Sequence, residues 1–263
     1  MCKCFGVSVS GYYKFVRRKC PREDFLYEQV LDVQTQCNFV YGYRRVKIAI
    51  ERGSGLVVNH KSLLRVMKKY KLQSHIRRQF AYSRSKYALR KYENVYRQDF
   101  SATAINQKWT TDISYVLTPE GTLFLSVIKD VYDGFIVGYK YSVTQDLRLV
   151  FDTVKNAVKS QKVNSTVLHS DQGFQYTTQS YYNLLKSCGL KPSMSRKSTP
   201  LDNAPAESFF SAFKSECIYL KRPKTLAEAA KMVDEYIEFY NYKRIMLKSK
   251  CAPYDIRSQC ANL

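Results

Sequence analysis

Two periodicities divide the chain. Up to about residue 74 the apolar positions recur at helical spacing; from Trp109 onward they alternate or run together as strands do. Within 24–41, Leu26, Val30, Val33 and Cys37 share one helical face. A second helix, 43–52, leaves Val46, Ile48 and Ile50 partly buried. Gly53-Ser54-Gly55 forms a turn, and Asn59 is a suitable N-cap for a third helix with Leu63, Leu64 and Met67 inside. Two helices about a short glycine-containing turn, the second bearing Lys61, Arg65, Lys68 and Lys69, predict a helix-turn-helix. Residues 1–22 support only a turn and a helical turn or two.

The second half reads differently. Residues 109–117, 122–131 and 135–143 are rich in β-formers and separated by turns at Thr118 to Gly121 and at Asp133-Gly134, which predicts an antiparallel meander. There follow a helix near 147–160, a buried strand at 165–171, a helix at 177–189 stopped by Gly189, a strand at 190–194, and helices near Asp202 and at 226–244. The expected fold class is α/β: a mixed five-stranded sheet with flanking helices, behind a small all-α region. The ribonuclease H-like fold has this order, although periodicity alone leaves it one arrangement among several. At the helix near Asp202, Asp202 and Asn203 are N-cap candidates, Pro205 suits the first turn, and Phe209, Phe210 and Phe213 form the apolar face.

Charge sharpens the division. The chain of 263 residues carries a formal +21. The first 100 residues hold 22 Lys/Arg against 7 Asp/Glu, leaving 21 against 15 for the rest. So strong an excess points to a polyanion, and with no apolar run long enough to span a bilayer the expected partner is double-stranded DNA, not a membrane. The expected DNA contacts are Arg44, Arg45, Lys61, Arg65, Lys68 and Lys69 in the helices. In the segment 75–100, Arg77, Arg78, Arg84, Lys86, Arg90 and Lys91 alternate with Phe80, Tyr82, Tyr87, Tyr92 and Tyr96. That segment suits a linker lying along a DNA backbone, its rings free to stack on unpaired bases. The expected organisation is a helical DNA-binding region at 1–74, a basic aromatic linker at 75–104 and a core with C-terminal helices at 105–263. The N-terminus lacks the features of a signal peptide, so the expected location is cytoplasmic, on the nucleoid. Eight scattered cysteines form no CxxC pair, and no zinc ligand set is apparent.

Three carboxylates stand out. Asp112 lies within an otherwise apolar strand, Asp171 ends the fourth strand, and Glu207 opens a helix. Taken singly, each has an ordinary explanation: a solvent-facing strand position, a turn before Gly173, a helix-dipole partner. Taken together, a strand centre, a strand end and a helix start can converge at one edge of such a sheet. Three hard oxygen donors there suit Mg²⁺ or Mn²⁺.

The words that surround them carry a resemblance. Trp109-Thr110-Thr111-Asp112, His169-Ser170-Asp171-Gln172-Gly173, and Asp202-Asn203-Ala204-Pro205-Ala206-Glu207-Ser208 with Lys214-Ser215-Glu216 resemble motifs of bacterial insertion-sequence transposases of the two-frame family, specifically the second-frame product. The stretch from Tyr240-Asn241 through Pro253 and Arg257 resembles that family's tail. The resemblance implies a retroviral-integrase-like core. It implies metal-dependent DNA cleavage and strand transfer at element ends, with Asp112, Asp171 and Glu207 as catalytic and metal-binding residues and two Mg²⁺ ions as cofactors. Asn203 and Lys214 are expected to support the site, and so is His169, either by shuttling a proton or orienting substrate or, the commoner case, as a structural histidine. The resemblance also implies a first-frame partner, often as a fused polypeptide, and assembly of more than one copy on DNA. Two departures are Leu201, where an aromatic is common, and Asp133-Gly134, where a Ser-Arg-like pair is common. A chain that had lost catalysis would persist as a DNA-binding relic or regulator of transposition.

Overall fold

A computed structural model describes residues 8–16, 21–75, 91–196 and 199–261. Contacts divide the chain into two compact units, Met1–His75 and Ile76–Leu263. Of the linker cations expected to meet DNA, Arg77, Arg78, Arg84, Lys86 and Arg90 lie outside the described residues, as do Phe80, Tyr82 and Tyr87.

The first unit is helical: α1 (Val9–Val16), α2 (Pro21–Gln36), α3 (Tyr43–Ser54) and α4 (His60–Lys69). Asn59 caps α4 as expected, its side chain accepting from the Lys61 N–H at 2.8 Å. Gly55 ends α3 in the left-handed region at φ 68°. Val30, Val46, Ile50, Leu63, Val66 and Met67 fill the interior. Ile48 is half-buried, as expected. A polar residue supplies the fastening: the fully buried Gln34 donates to the carbonyls of Tyr41 (3.0 Å) and Leu72 (2.7 Å), tying α2 to the chain on both sides of the helix pair.

The second unit is built on one sheet. Strands β1 (Lys108–Thr118), β2 (Gly121–Asp130), β3 (Ile136–Ser142), β4 (Val167–Ser170) and β5 (Lys191–Met194) stand in the order β3-β2-β1-β4-β5. The first three pair antiparallel, while β4 pairs parallel with both β1 and β5. Helices α5 (Leu147–Ser160) and α6 (Gln179–Ser187) cover one face, where Trp109, Ile128 and Val137 meet Val150, Val154, Tyr181 and Leu185. The other face takes α7 (Ala204–Phe213) and α9 (Leu226–Tyr242). There Phe209, Phe210 and Phe213 pack with Val116, Leu125, Val127, Tyr236 and Tyr240. Between these helices α7 runs through a π-helical turn, Lys214–Ile218, into the short α8 (Tyr219–Lys221).

Two features escaped the sequence. Helix α10 (Pro253–Ala261) closes the chain, and its Arg257 donates to Asp130 Oδ2 (2.6 Å) and Asp133 Oδ2 (2.7 Å) beneath the β2–β3 turn. The departure at Asp133 is thereby explained: the residue supplies the partner of Arg257. At the π-turn, buried Glu216 accepts from Arg244 Nε (2.7 Å), Arg244 Nη2 (2.6 Å) and Tyr236 Oη (2.9 Å).

Helix α5 lies unusually close to β3. A Cβ on Gly138 would come within 2.7 Å of Ala157 Cβ and 2.9 Å of its backbone. Gly138→Ala is therefore expected to lower stability by about 1–3 kcal/mol through overpacking, read as a shifted urea midpoint with an unchanged slope.

Candidate active site

The sheet brings two aspartates side by side. The parallel register pairs Trp109 with Leu168 and Thr110 with His169. Asp112 and Asp171 each lie two residues beyond that last pair, on strands that pack about 4.8 Å apart. Alternation gives the face. Val116 joins the core under α7 and α9, so Asp112, four residues earlier, shares that face. Leu168 joins the opposite core, so His169 and Asp171 point the same way as Asp112. Glu207 sits in the first turn of α7 and is exposed, while both aspartates are half-buried.

All three carboxyls are pushed above their ordinary range. For Asp112 the first cause is burial, the second the charge of Asp171, with Glu207 adding a smaller push. For Asp171 the cause is burial, and for Glu207 burial and then Asp171. Hydrogen bonds oppose the shift only in part: Asp112 Oδ1 accepts from the Ile113 N–H (2.8 Å) and Asp171 Oδ1 from the Gly173 N–H (2.9 Å). Asp171 is thus both a turn former and a member of the cluster. A side chain on Gly173 would meet that same carboxylate oxygen at 2.9 Å, which explains the glycine. Among the described residues no three His, Cys, Asp or Glu side chains stand close enough as they are to hold a single ion. In kind, however, the set fits a hard divalent cation: every donor is a carboxylate oxygen, and their mutual repulsion is what a bound cation relieves.

The residues expected to support the site divide. Lys214 lies near Asp112: burial lowers its pKa, opposed in part by the charge of Asp112, and its amine stands 4.6 Å from the Tyr115 ring centroid. Asn203 does not cap α7 with its side chain, contrary to expectation. Its Nδ2 instead donates to the carbonyl of Thr111 (3.1 Å), the residue before Asp112, and its Oδ1 is buried without a hydrogen-bond partner. His169 has no nitrogen left for a proton relay. Its ring is fully buried, with Nδ1 on Ser193 Oγ (2.8 Å), Nε2 on Ser195 Oγ (3.0 Å) and Tyr96 stacked on it at 4.5 Å. Burial pulls its pKa down to about 4, so it is a neutral fastener between β4 and β5.

Two further residues carried no sequence signal. Tyr176 is buried beside both aspartates, its hydroxyl 3.4 Å from Thr111 Oγ1. Lys129, opposite Thr110 on β2, is 6 % exposed and donates from Nζ to the carbonyl of Pro205 (3.0 Å), two residues before Glu207. An interior lysine on a strand looks like any exposed lysine until its register is known.

In the helical unit, Arg44, Lys61, Arg65, Lys68 and Lys69 are exposed, and Arg45 is half-buried with its guanidinium 5.8 Å from the Tyr41 ring centroid. Lys91 is exposed as well. The aromatic residues of the linker's end behave otherwise than expected. Tyr96 is 1 % exposed and Tyr92 stacks on Tyr182, so neither ring is free for bases.

Comparison with known proteins identifies the family and the fold. Family models described as integrase core domain match residues 102–200 and 207–260, and one described as an HTH-like domain matches 21–91. A putative transposase of Escherichia coli K12, InsK of insertion sequence element IS150, is 38% identical over 221 residues, covering 83% of this chain and 78% of that protein. The chain belongs to the insertion-sequence transposase family. A 31 kDa protein of insertion element IS600 from Shigella sonnei is 36% identical over 252 residues, covering 93% of this chain and 92% of its own. Among solved structures, a chain of the simian T-cell lymphotropic virus intasome in complex with PP2A regulatory subunit B56 gamma shares the fold. Its TM-score is 0.51 at 12% identity, over 86% of this chain and 73% of that one. Among the described residues of this family member no helix is long and apolar enough to cross a membrane.

The repulsion within the cluster has a measurable cost. A raised folded-state pKa means that the folded protein gains stability as pH falls through it and loses it where the carboxyl must ionise. Asp112→Asn, measured in EDTA, is expected to raise the melting temperature at pH 7 and above. The gain should shrink toward pH 4, where the wild-type carboxyl is protonated in the folded state. A melting series from pH 4 to 8 checks both sign and window.

Proposed function

We propose that this protein cuts and joins DNA strands at insertion-sequence ends, with Asp112, Asp171 and Glu207 as the catalytic, metal-binding carboxylates. The observation that carries this reading is the approach of the three acids, Asp171 raising the pKa of Asp112 and of Glu207 and Glu207 adding to that of Asp112, in a chain of the insertion-sequence transposase family. The three side chains would hold Mg²⁺ or Mn²⁺, two ions being the number that suits the chemistry. When bound, such ions supply activation of the attacking oxygen and stabilisation of the leaving oxygen in phosphodiester transfer.

The chain's own residues set the geometry. The β1–β4 pairing fixes the spacing of the two aspartates. Lys129 and Asn203 hold the start of α7 through the carbonyls of Pro205 and Thr111. Lys214 places a cation beside Asp112, where a phosphate oxygen of the substrate would sit. In the first step water displaces the 3′ oxygen at the element end, leaving a 3′-OH and a 5′-phosphate. In the second that hydroxyl attacks another phosphodiester in line, one P–O bond forming as one breaks. No covalent intermediate with the protein is needed.

The helical unit is the proposed DNA-holding part, with Lys61, Arg65 and Lys68 at i, i+4 and i+7 forming an exposed cationic stripe on α4. Element-end recognition by a first-frame product, alone or fused to this chain, and assembly of two or more copies on paired ends, complete the proposal.

Glu207→Gln is nearly isosteric and removes one metal-binding charge. On a labelled element-end duplex in Mg²⁺, the wild-type chain or its first-frame fusion is expected to cleave and join. Both EDTA and Glu207→Gln should abolish that activity with end binding unchanged. A fused wild type that binds ends and never cuts them would establish a DNA-binding relic instead.

A further inference from the structure

Asp202 is wholly buried and still charged. Among the described residues its two oxygens accept five hydrogen bonds. Oδ2 takes Asn94 Nδ2 (2.8 Å), the Arg196 N–H (2.9 Å) and Arg196 Nε (3.1 Å); Oδ1 takes Gln98 Nε2 (3.0 Å) and Arg196 Nη2 (3.0 Å). Only an ionised carboxylate can satisfy five donors at once, because an amide would turn one acceptor into a sixth donor. The Arg196 hydrogen bonds hold its pKa down at about 2. Three segments meet on this one side chain: Asn94 and Gln98 precede β1, Arg196 follows β5, and Asp202 itself lies in the 3₁₀ turn Pro200–Asn203 that opens α7.

The segment before β1 is shaped for this contact. Glu93 O accepts from the Met194 N–H (3.3 Å), and the Val95 N–H donates to Ser193 Oγ (3.0 Å), so the chain runs beside edge strand β5. Tyr96 is driven into the interior, its hydroxyl on the Trp109 carbonyl (2.7 Å). Arg97 and Gln98 then adopt left-handed backbone conformations, φ 47° and 66°, which non-glycine residues enter only when the surroundings enforce it. That bend delivers Gln98 to Asp202.

We propose that Asp202 is a positioning residue for strand transfer: by gathering the Glu93–Gln98 segment and Arg196 onto the turn that opens α7, it fixes Glu207 relative to Asp112 and Asp171. The proposal rests on Glu207 being a metal-binding carboxylate. It makes Glu93–Gln98 part of the active-site scaffold, although no residue of that segment is among the three acids.

The test uses the full chain carrying Asn94→Ala and Gln98→Ala, which removes two donors and leaves the Arg196 pair, with Asp202→Asn as the harsher variant. Mn²⁺ binding is followed through the EPR signal of free Mn²⁺, strand transfer through separate turnover and KM for the end duplex, and folding through thermal melting. The double variant is expected to stay folded with KM unchanged. Its Mn²⁺ midpoint should weaken and its turnover fall about tenfold, the scale on which residues that orient metal ligands act. Asp202→Asn should fall further. Wild-type Mn²⁺ binding in the folded double variant would overturn the proposal, as would losses that merely track its unfolded fraction. Glu207→Gln separates the two levels. If it leaves Mn²⁺ binding intact, the assignment of Glu207 fails and the positioning role fails with it. If it abolishes binding while the double variant binds normally, only the positioning role is lost. The Mn²⁺ measurement decides this even where the unfused chain does not cut DNA.

Discussion

Like charges do not gather unaided, and the need to keep three carboxylates together shapes the second unit. Asp112, half-buried within β1, and Asp171, half-buried just past β4, are both pushed above the ordinary carboxylate range, Asp112 by burial and the charge of Asp171 and Asp171 by burial, and keeping them ionised costs folding energy. They stay together because the strands that carry them are fixed by backbone hydrogen bonds in the middle of a sheet covered on both faces. Asp112 sits within the β1–β2 ladder and Asp171 one residue past the end of β4, so the sheet fixes the backbone at or next to each carboxylate. Glu207 has no strand to hold it. The helix that carries it is tied at its start by hydrogen bonds through Asp202, Asn203 and Lys129.

The same logic accounts for buried charge elsewhere in the unit. Glu216 with Arg244, and Arg257 with Asp130 and Asp133, lie at 9 % exposure or less and are fully hydrogen-bonded. Such pairs add little net stability, but they are intolerant of wrong partners. The first joins the π-turn after α7 to the end of α9; the second joins α10 to the β2–β3 turn. Each fixes where a helix ends against the sheet, something that an apolar interface of interchangeable side chains specifies poorly. Asp130 shows the tension directly: burial and Asp133 lift its pKa to about 6 even with Arg257 at 2.6 Å.

Most of the second unit's architecture was legible in the sequence, because strands and helices differ in period and the turns carry glycine or Asp-Gly. Of the three acids, Asp112 stood out as a charged residue inside an apolar strand, while Asp171 and Glu207 stood out only together with it and through the words around them. What could not be read was tertiary. Asp202 and Asn203 have the chemistry of helix caps, and local preference assigns them that role; only contacts across the fold, with Asn94, Gln98 and Thr111, reveal that neither side chain caps α7. Tyr92 and Tyr96 looked like stacking platforms because a basic segment with regular tyrosines has that composition. Burial against Tyr182 and His169 depends on a strand edge distant in sequence. The histidine in His169-Ser170-Asp171 gave no hint that two serines near β5 would occupy both its nitrogens.

The end of the linker therefore belongs to two descriptions at once. By composition it continues the basic stretch that precedes it; by packing it is a wall of the site. The crossover falls between Lys91, exposed and cationic, and Tyr96, buried and neutral. Five residues are enough for the chain to pass from a surface suited to phosphate to an interior that orders a carboxylate. Net charge locates where a polyanion binds, but it says nothing about which residues of a basic segment are free to meet it. Tyr96 stacked on His169, and Gln98 turned by a left-handed backbone onto Asp202, answer that for these two residues: both are spent on packing within the second unit.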